Sequence, residues 1–268
     1  MVELIFGVIG NPVDHSLSPK IHYNFASQFN LNNFSYKKIK ATHDDFEITV
    51  REFFQNNGSG LNITVPFKNA AYNLCDVLDS SAMNCGSVNT IKYESGKLKG
   101  YSTDGAGFVD DISSKNIQLD NKKILIYGAG GSASSLISAI LGNEKTAIVS
   151  ILNRTPLNAE KLLSFFKSPR LLPHTNQSTY DIIVNTTPIS MNNGKITLPY
   201  NLLSSNTICY DLFYSNDKTA FQKWAIKNGA KLCYDGLGML IHQAKHSFNI
   251  WNNLIPDKNN LESLLRAV

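Results

Sequence analysis

The chain has 268 residues, 43% hydrophobic and 17% charged, which reads as a globular protein with a substantial core in one large domain or two ordinary ones. Its net charge of +4 comes without a Lys/Arg-dense stripe interleaved with aromatics, against nucleic-acid binding, and no apolar run approaches the about 20 residues of a membrane span. Four cysteines (Cys75, Cys85, Cys209, Cys233) lie far apart with no CxxC pair, and the apolar start lacks the basic region of a signal peptide, so a cytoplasmic protein with reduced thiols is expected.

Strand and helix signals alternate almost throughout, which predicts an α/β fold with largely parallel sheets. Leu4–Ile9 is a predicted strand, and Ser18-Pro19 places a cap and a first-turn proline ahead of a helix running to about Phe29. A strand at Asn33–Lys40 and an amphipathic helix from Thr42 to Gln55 follow, with Phe46, Val50, Phe53 and Phe54 inward. Next come a strand at Leu61–Val65, helical segments from Lys68 to about Met83, and a hairpin of Val88–Tyr93 and Lys97–Tyr101 around Ser95-Gly96. Thr103 is placed to cap a helix beginning near Asp104.

A second α/β series starts at Lys123. Its predicted strands are Ile124–Tyr127, Ala147–Leu152, Ile182–Val184 and Ile208–Leu212, and its helices are Ser132–Leu141, Pro156–Lys167 and Thr219–Lys227. The tail reads as helical over Gly238–Asn252 and Asn259–Ala267, with no internal repeat or flexible linker.

Asn62-Ile-Thr-Val-Pro-Phe-Lys68, read as an extended strand, puts Ile63, Val65 and Phe67 on one face and Asn62, Thr64 and Lys68 on the other. That arrangement suits gripping a polar ligand; the plain alternative is an edge strand with a solvated outer face. Gly128-Ala129-Gly130-Gly131-Ser132-Ala133 directly follows a predicted strand and opens a helix, the context in which glycines let a pyrophosphate approach the backbone. At the end of the next strand stand Asn153-Arg154-Thr155; an arginine there accommodates the 2′-phosphate of NADP, where an acid would favour NAD.

Further signatures precede and follow this loop: Ser16-Leu-Ser18-Pro19, Gly86-Ser-Val-Asn89-Thr90, Ser102-Thr103-Asp104-Gly105, Tyr210-Asp-Leu-Phe-Tyr214 and Gly236-Leu-Gly-Met-Leu-Ile-His-Gln243. Together with the strand and the loop, in this order, they resemble the shikimate dehydrogenase family over nearly the whole chain. The resemblance implies an N-terminal α/β substrate domain (1–104), a Rossmann-type NADP-binding domain (105–237), and C-terminal helices (238–268) that pack back on the first domain. It also implies reversible NADPH-dependent reduction of 3-dehydroshikimate to shikimate in aromatic biosynthesis, by a monomer or homodimer.

By the same resemblance the substrate positions fall on Ser16, Ser18, Thr64, Lys68, Asn89, Asp104 and Gln243, with Tyr214 beside them. The cofactor positions fall on Gly128, Ala129, Gly130, Gly131 and Ser132, on Asn153, Arg154 and Thr155, and on Leu212 and Gly236. The chain departs from the family's pattern at Ser102, at Ser87 and Ser132, at Ser190 where a glycine is expected, and at Asn158, where many members carry a second basic residue near the 2′-phosphate.

Reducing a ring ketone needs a proton on oxygen, and Lys68 and Asp104 are the candidates to move it. Which of the two carries the proton stays open, since a close pair titrates as a unit. Ser16 and Ser18 point the same way if their segment is extended and suit a carboxylate, although Ser18 also suits a helix cap. Asn89 and Gln243 offer amides for ring hydroxyls. His242 and His246 have helical metal-ligand spacing but lack the glutamate of the metalloprotease pattern, so no metal is expected. Two rivals remain: a quinate/shikimate dehydrogenase using NAD or both cofactors, and a catalytically silent nucleotide- or shikimate-sensing module.

Overall fold

The computed structural model describes residues 3–143, 146–175, 179–192 and 194–267. The chain divides into two compact units, Met1–Gly107 with Leu240–Val268, and Phe108–Met239.

The first unit contains β1 (Leu4–Gly10), α1 (Ser18–Gln28), β2 (Phe34–Lys40), α2 (Phe46–Gln55), β3 (Gly58–Ile63), α3 (Lys68–Leu74), β4 (Val77–Leu78), α4 (Ser80–Met83), β5 (Thr90–Glu94) and β6 (Lys97–Tyr101). Its sheet runs β2-β1-β3-β5-β6-β4. β1 pairs in parallel with β2 and β3, whereas β3–β5 and β5–β6 are antiparallel. The central strand β1 is buried from Phe6 to Gly10, as its nearly unbroken apolar run requires of a strand covered on both faces. One face carries Ile9, Leu61 and Ile63 against Phe46, Val50 and Phe54 of α2 and Phe67.

The other face is aromatic. Phe6 stacks on Phe34 with centroids 4.8 Å apart, and His22 of α1 stacks on Tyr36 at 4.6 Å. Trp251, from α9 (Leu237–Asn252), lies 4.9 Å from Phe6. A Cβ on Gly60 would strike the Trp251 indole, whose Nε1 donates to the Ile91 carbonyl at 3.0 Å. Glycine at position 60 thus lets α9 seat its indole on β3. A last helix, α10 (Leu261–Arg266), buries Leu261 and Leu265.

The helix α5 (Asp104–Ser114) begins in the first unit and ends in the second. The second unit then alternates β7 (Lys123–Tyr127), α6 (Gly131–Asn143), β8 (Ile148–Leu152), α7 (Pro156–Phe166), β9 (Leu171–Pro173), β10 (Ile182–Asn185), β11 (Ile208–Asp211), α8 (Ala220–Lys227) and β12 (Leu232–Tyr234). Its strands, in the order β12-β11-β10-β7-β8-β9, are all parallel. Alternate residues of β7 serve two separate cores: Ile124 and Ile126 in one, Leu125 and Tyr127 in the other. The strand order reverses between β7 and β10, which makes their carboxyl ends the topological switch point where such sheets take a ligand.

The structure corrects the extended reading of Asn62–Lys68. The strand ends at Ile63, Phe67 N–H turns back to the Thr64 carbonyl at 3.0 Å, and Lys68 is the first residue of α3. Pro66 has no N–H to continue a ladder, so the alternation fails beyond it. Ile63 and Phe67 are buried, but Val65 is 41% exposed. β4, β9 and β12, of two or three residues each, were too short to show a periodic pattern.

Candidate functional site

In the first unit the side chains converge around Asn89, just before β5. Lys68 Nζ pairs with Asp104 Oδ2, and both side chains are largely enclosed, 13% and 7% exposed. The other carboxylate oxygen, Oδ1, accepts from Asn89 Nδ2 at 2.8 Å. Asn89 Oδ1 accepts the Thr103 N–H at 2.8 Å, which fixes the amide's orientation, because a backbone N–H only donates and a carboxylate only accepts. Gln243 Oε1, from α9, accepts from Asn89 Nδ2 and from the Thr103 hydroxyl, both at 3.2 Å. Thr103, expected to cap α5, instead turns its hydroxyl to Asn89, Gln243 and Ser247.

Lys68, Asn89, Asp104 and Gln243 therefore share one hydrogen-bonded group. Ser16 and Ser18 form a second: Ser16 Oγ donates to Ser18 Oγ at 3.1 Å and accepts the Ser18 N–H at 3.3 Å. They meet without an extended segment, since Leu17 between them is helical at φ −87°, ψ −3°. Ser18 is not the cap. It is the first residue of α1, the N-cap position is Leu17, and no side chain caps there. Thr64 is half-buried in the loop after β3, with its N–H on the Ile9 carbonyl at 2.9 Å and its methyl against Gly10. Tyr214 belongs to the other unit, in the segment after β11, where it stacks on Phe213 at 6.0 Å.

Sequence reasoning missed the support beneath this group. Asn62, buried, receives the Tyr36 hydroxyl on Oδ1 at 2.7 Å and donates through Nδ2 to the Asn89 carbonyl, Thr90 Oγ1 and Ser247 Oγ at 3.1–3.2 Å. Asn62 and Thr90 stand opposite each other in the β3–β5 register, which sets their contact. Ser247 carried a legible signal: it lies one helical turn from Gln243, on a face otherwise facing the core.

In the second unit the expected cofactor positions all follow the carboxyl ends of parallel strands. Gly128 to Gly131 join β7 to α6; Asn153 to Thr155 follow β8; Leu212 follows β11, and Gly236 lies just beyond β12. Gly128 has φ +124°, and a Cβ there would collide with Thr186 Oγ1, so only glycine fits. Gly130 is exposed, and a Cβ on it would meet nothing within 4 Å, leaving room above the helix N-terminus. Gly236 N–H donates to the Phe213 carbonyl at 3.0 Å, and a Cβ on it would strike the Leu212 carbonyl. Asn153 Nδ2 closes its loop on the Thr155 carbonyl at 3.0 Å, with Arg154 and Thr155 exposed. This donor set fits a dinucleotide: an open glycine cradle at a helix N-terminus, and a guanidinium at the next strand end for a phosphate.

A buried network at the ends of β10 and β11 was also missed. Asp211 accepts from Asn185 Nδ2 (2.9 Å), Ser190 Oγ (2.6 Å), Thr219 Oγ1 (2.6 Å) and the Phe213 N–H (3.2 Å). Burial raises its pKa above the ordinary carboxylate value, and these hydrogen bonds pull the other way. Among the described residues no group of three or more His, Cys, Asp or Glu is placed to hold a metal, and no helix is long and apolar enough to cross a membrane. His242 lies 3.1 Å from Lys258 Nζ instead.

A family model for the shikimate dehydrogenase substrate binding domain matches residues 8–91. The shikimate dehydrogenase (NADP(+)) of Colwellia psychrerythraea is 37% identical over 266 residues, covering 98% of this chain and 96% of that protein. That of Shewanella halifaxensis is 40% identical over 268 residues, covering 98% and 95%. The Thermus thermophilus shikimate 5-dehydrogenase, solved in complex with NADP(H) and shikimate, superposes with a TM-score of 0.87 at 30% identity, covering 98% and 99%. With sequence and fold matching these proteins from end to end, the chain belongs to the shikimate dehydrogenase family.

Proposed function

We propose that the protein catalyses the reversible NADPH-dependent reduction of 3-dehydroshikimate to shikimate, and that Lys68 moves the proton. The observation that carries the proton assignment is the state of Asp104. One of its oxygens takes the Lys68 ammonium and the other the Asn89 amide. A carboxylate with donors on both oxygens is held as an acceptor, so the proton available to a bound ketone is on Lys68.

Bound NADPH supplies the hydride that the ring carbon receives. Lys68 gives its proton to the carbonyl oxygen during reduction and takes it back during oxidation, with solvent restoring the balance. Asp104 orients the ammonium and stabilises it. Ser16 and Ser18 hold the substrate carboxylate through their hydroxyls, while Thr64, Asn89 and Gln243 face the ring hydroxyls; the family resemblance adds Tyr214 as a further substrate residue. Gly128 to Ser132 cradle the pyrophosphate, Asn153 to Thr155 hold the adenosine end with Arg154 on the 2′-phosphate, and Leu212 and Gly236 border the nicotinamide end. The first unit is thus the substrate domain and the second the NADP domain. This reading places the enzyme in the cytoplasm, as a monomer or homodimer.

The test is reduced nicotinamide formation from shikimate or quinate, each with NADP or NAD. Shikimate with NADP is expected to be fastest. Faster turnover of quinate with NAD overturns the substrate and cofactor assignment, and binding without turnover in any pairing indicates a sensor.

A further inference from the structure

Tyr36 sits on β2, buried, outside every set of residues given a task above. Its surroundings fix what its hydroxyl does. Asn62 Nδ2 faces the Asn89 backbone carbonyl, which can only accept, so the amide oxygen of Asn62 must face Tyr36 and the phenol must donate. Thr90 Oγ1 accepts from Asn62 Nδ2 at 3.1 Å and donates to Asn89 Oδ1 at 3.0 Å. Asn89 Nδ2 donates to Asp104 Oδ1. Each link is a donor to the next, and the series ends on the carboxylate that holds Lys68.

Burial raises the phenol's pKa well above its ordinary value, so it remains a proton donor at any working pH. His22 stacks flat on the ring, interplanar angle 11°, and keeps it in place.

We propose that Tyr36 and Asn62 are positioning residues that orient Asn89, and through it the Asp104–Lys68 pair. The inference rests on the reaction proposed above. Ordered hydrogen-bonded chains inside a protein polarise along their length, so removing one donor is felt at the terminal carboxylate. Tyr36 acts through Asn62, Thr90 and Asn89, without touching Lys68 itself.

The experiment uses the full-length protein in shikimate oxidation with NADP, comparing Tyr36→Phe, Thr90→Val, the double variant, and Ile21→Val as a stability control from a fully buried position of α1. Tyr36→Phe keeps the ring on His22 and removes only the donor. Its kcat is expected to fall about tenfold or more, with the KM for NADP unchanged, as a modest misplacement of catalytic groups does. Thr90→Val breaks the next link and should act likewise, and the double variant should be no slower than the slower single. Ile21→Val should lower the melting temperature while leaving kcat at the wild-type level.

A Tyr36→Phe kcat within about twofold of wild type overturns the proposal, as does a double variant whose loss is the product of the singles. So does Ile21→Val losing kcat in step with its melting temperature. If Tyr36→Phe does not accumulate folded, Thr90→Val decides by the same kcat limit. Absence of turnover in the wild type refutes the proposed reaction itself, whereas wild-type turnover with unaffected variants refutes only this inference.

Discussion

Replacing Lys68 by methionine keeps most of the apolar stem and removes the ammonium, which separates its chemical role from its packing. General acid–base assistance contributes about 10²–10⁴ in rate, so kcat should fall by that factor while the KM for NADP, whose expected contacts lie in the other unit, stays near wild type. Stability should fall as well. Removing one partner of a buried ion pair costs about 3–5 kcal/mol, because the remaining charge is left without its counter-ion. Asp104 keeps the Asn89 amide at 2.8 Å in both proteins, so that bond does not offset the loss. At about 2–4 °C per kcal/mol for a protein of this size, the melting temperature should drop by about 6–20 °C. Reduced-nicotinamide formation gives kcat, fluorescence titration gives NADP affinity, and calorimetry gives the melting temperature. Added ethylamine, a soluble stand-in for the lost group, should restore part of the turnover of Lys68→Ala. A Lys68→Met enzyme within about threefold of wild-type kcat would remove Lys68 from the proton step, whatever its stability.

The two loop glycines should separate folding from binding. Gly130→Ala, with space around its Cβ, should melt like wild type yet bind NADP poorly, whereas Gly128→Ala, forced into Thr186, should lower the melting temperature of the protein; equal melting of both contradicts the geometry. Arg154→Ala should raise the KM for NADP about tenfold and leave that for NAD unchanged, since a charge-assisted contact to phosphate is the only loss; an unchanged ratio refutes its role. Burial takes the His22 pKa from 6.5 to about 3, so between those values the unfolded chain binds a proton that the folded one does not. His22 therefore contributes stability that is complete above pH 6.5 and lost as pH falls toward 3, about 2 kcal/mol between pH 7 and pH 5, at about 1.4 kcal/mol per unit. Urea midpoints should show this slope in wild type and a flatter one in His22→Leu, and parallel curves refute it.

What was legible in the sequence was whatever depends on local backbone chemistry. Gly128 to Gly131 between a strand and a helix specify their own conformation, and the helix starts at Gly131, one residue ahead of the expected Ser132. Asn62–Lys68 was half legible. The residue types were informative, but the geometry was not, because a strand that stops at Ile63 carries no alternation into Thr64 and Lys68. Lys68 faces Asp104 from the first residue of α3, where the sequence places the start of a helical segment. Ser16 and Ser18 converge through a helical Leu17, so a correct pairing followed from an incorrect conformation. The contributions of Tyr36 and Thr90 were invisible for a different reason, and Ser247 showed only its one-turn spacing from Gln243. Each is a common polar residue in an ordinary element, and only the β3–β5 register and the seating of α9 bring them to Asn62.

Two Asn–Asp pairs show how the same residue types serve different ends. Asn89 and Asn185 each place an amide N–H on a carboxylate, Asp104 and Asp211, at 2.8 and 2.9 Å. Asp104 has a cation on its other oxygen; the donors to Asp211 are all neutral, from Asn185, Ser190, Thr219 and the Phe213 N–H. An enclosed carboxylate with only neutral donors feels burial most, and its pKa rises accordingly. Asp211 therefore works as a clamp. It ties the end of β10 to the end of β11 and to the start of α8, and so fixes the path of Leu212 toward Gly236. Ser190, where the family pattern calls for glycine, is part of that clamp, since its hydroxyl donates to Asp211 at 2.6 Å and accepts the Phe221 N–H at 3.2 Å. The departure at Ser190 thus adds support to the loop edge at the carboxyl ends of β10 and β11 in the second unit.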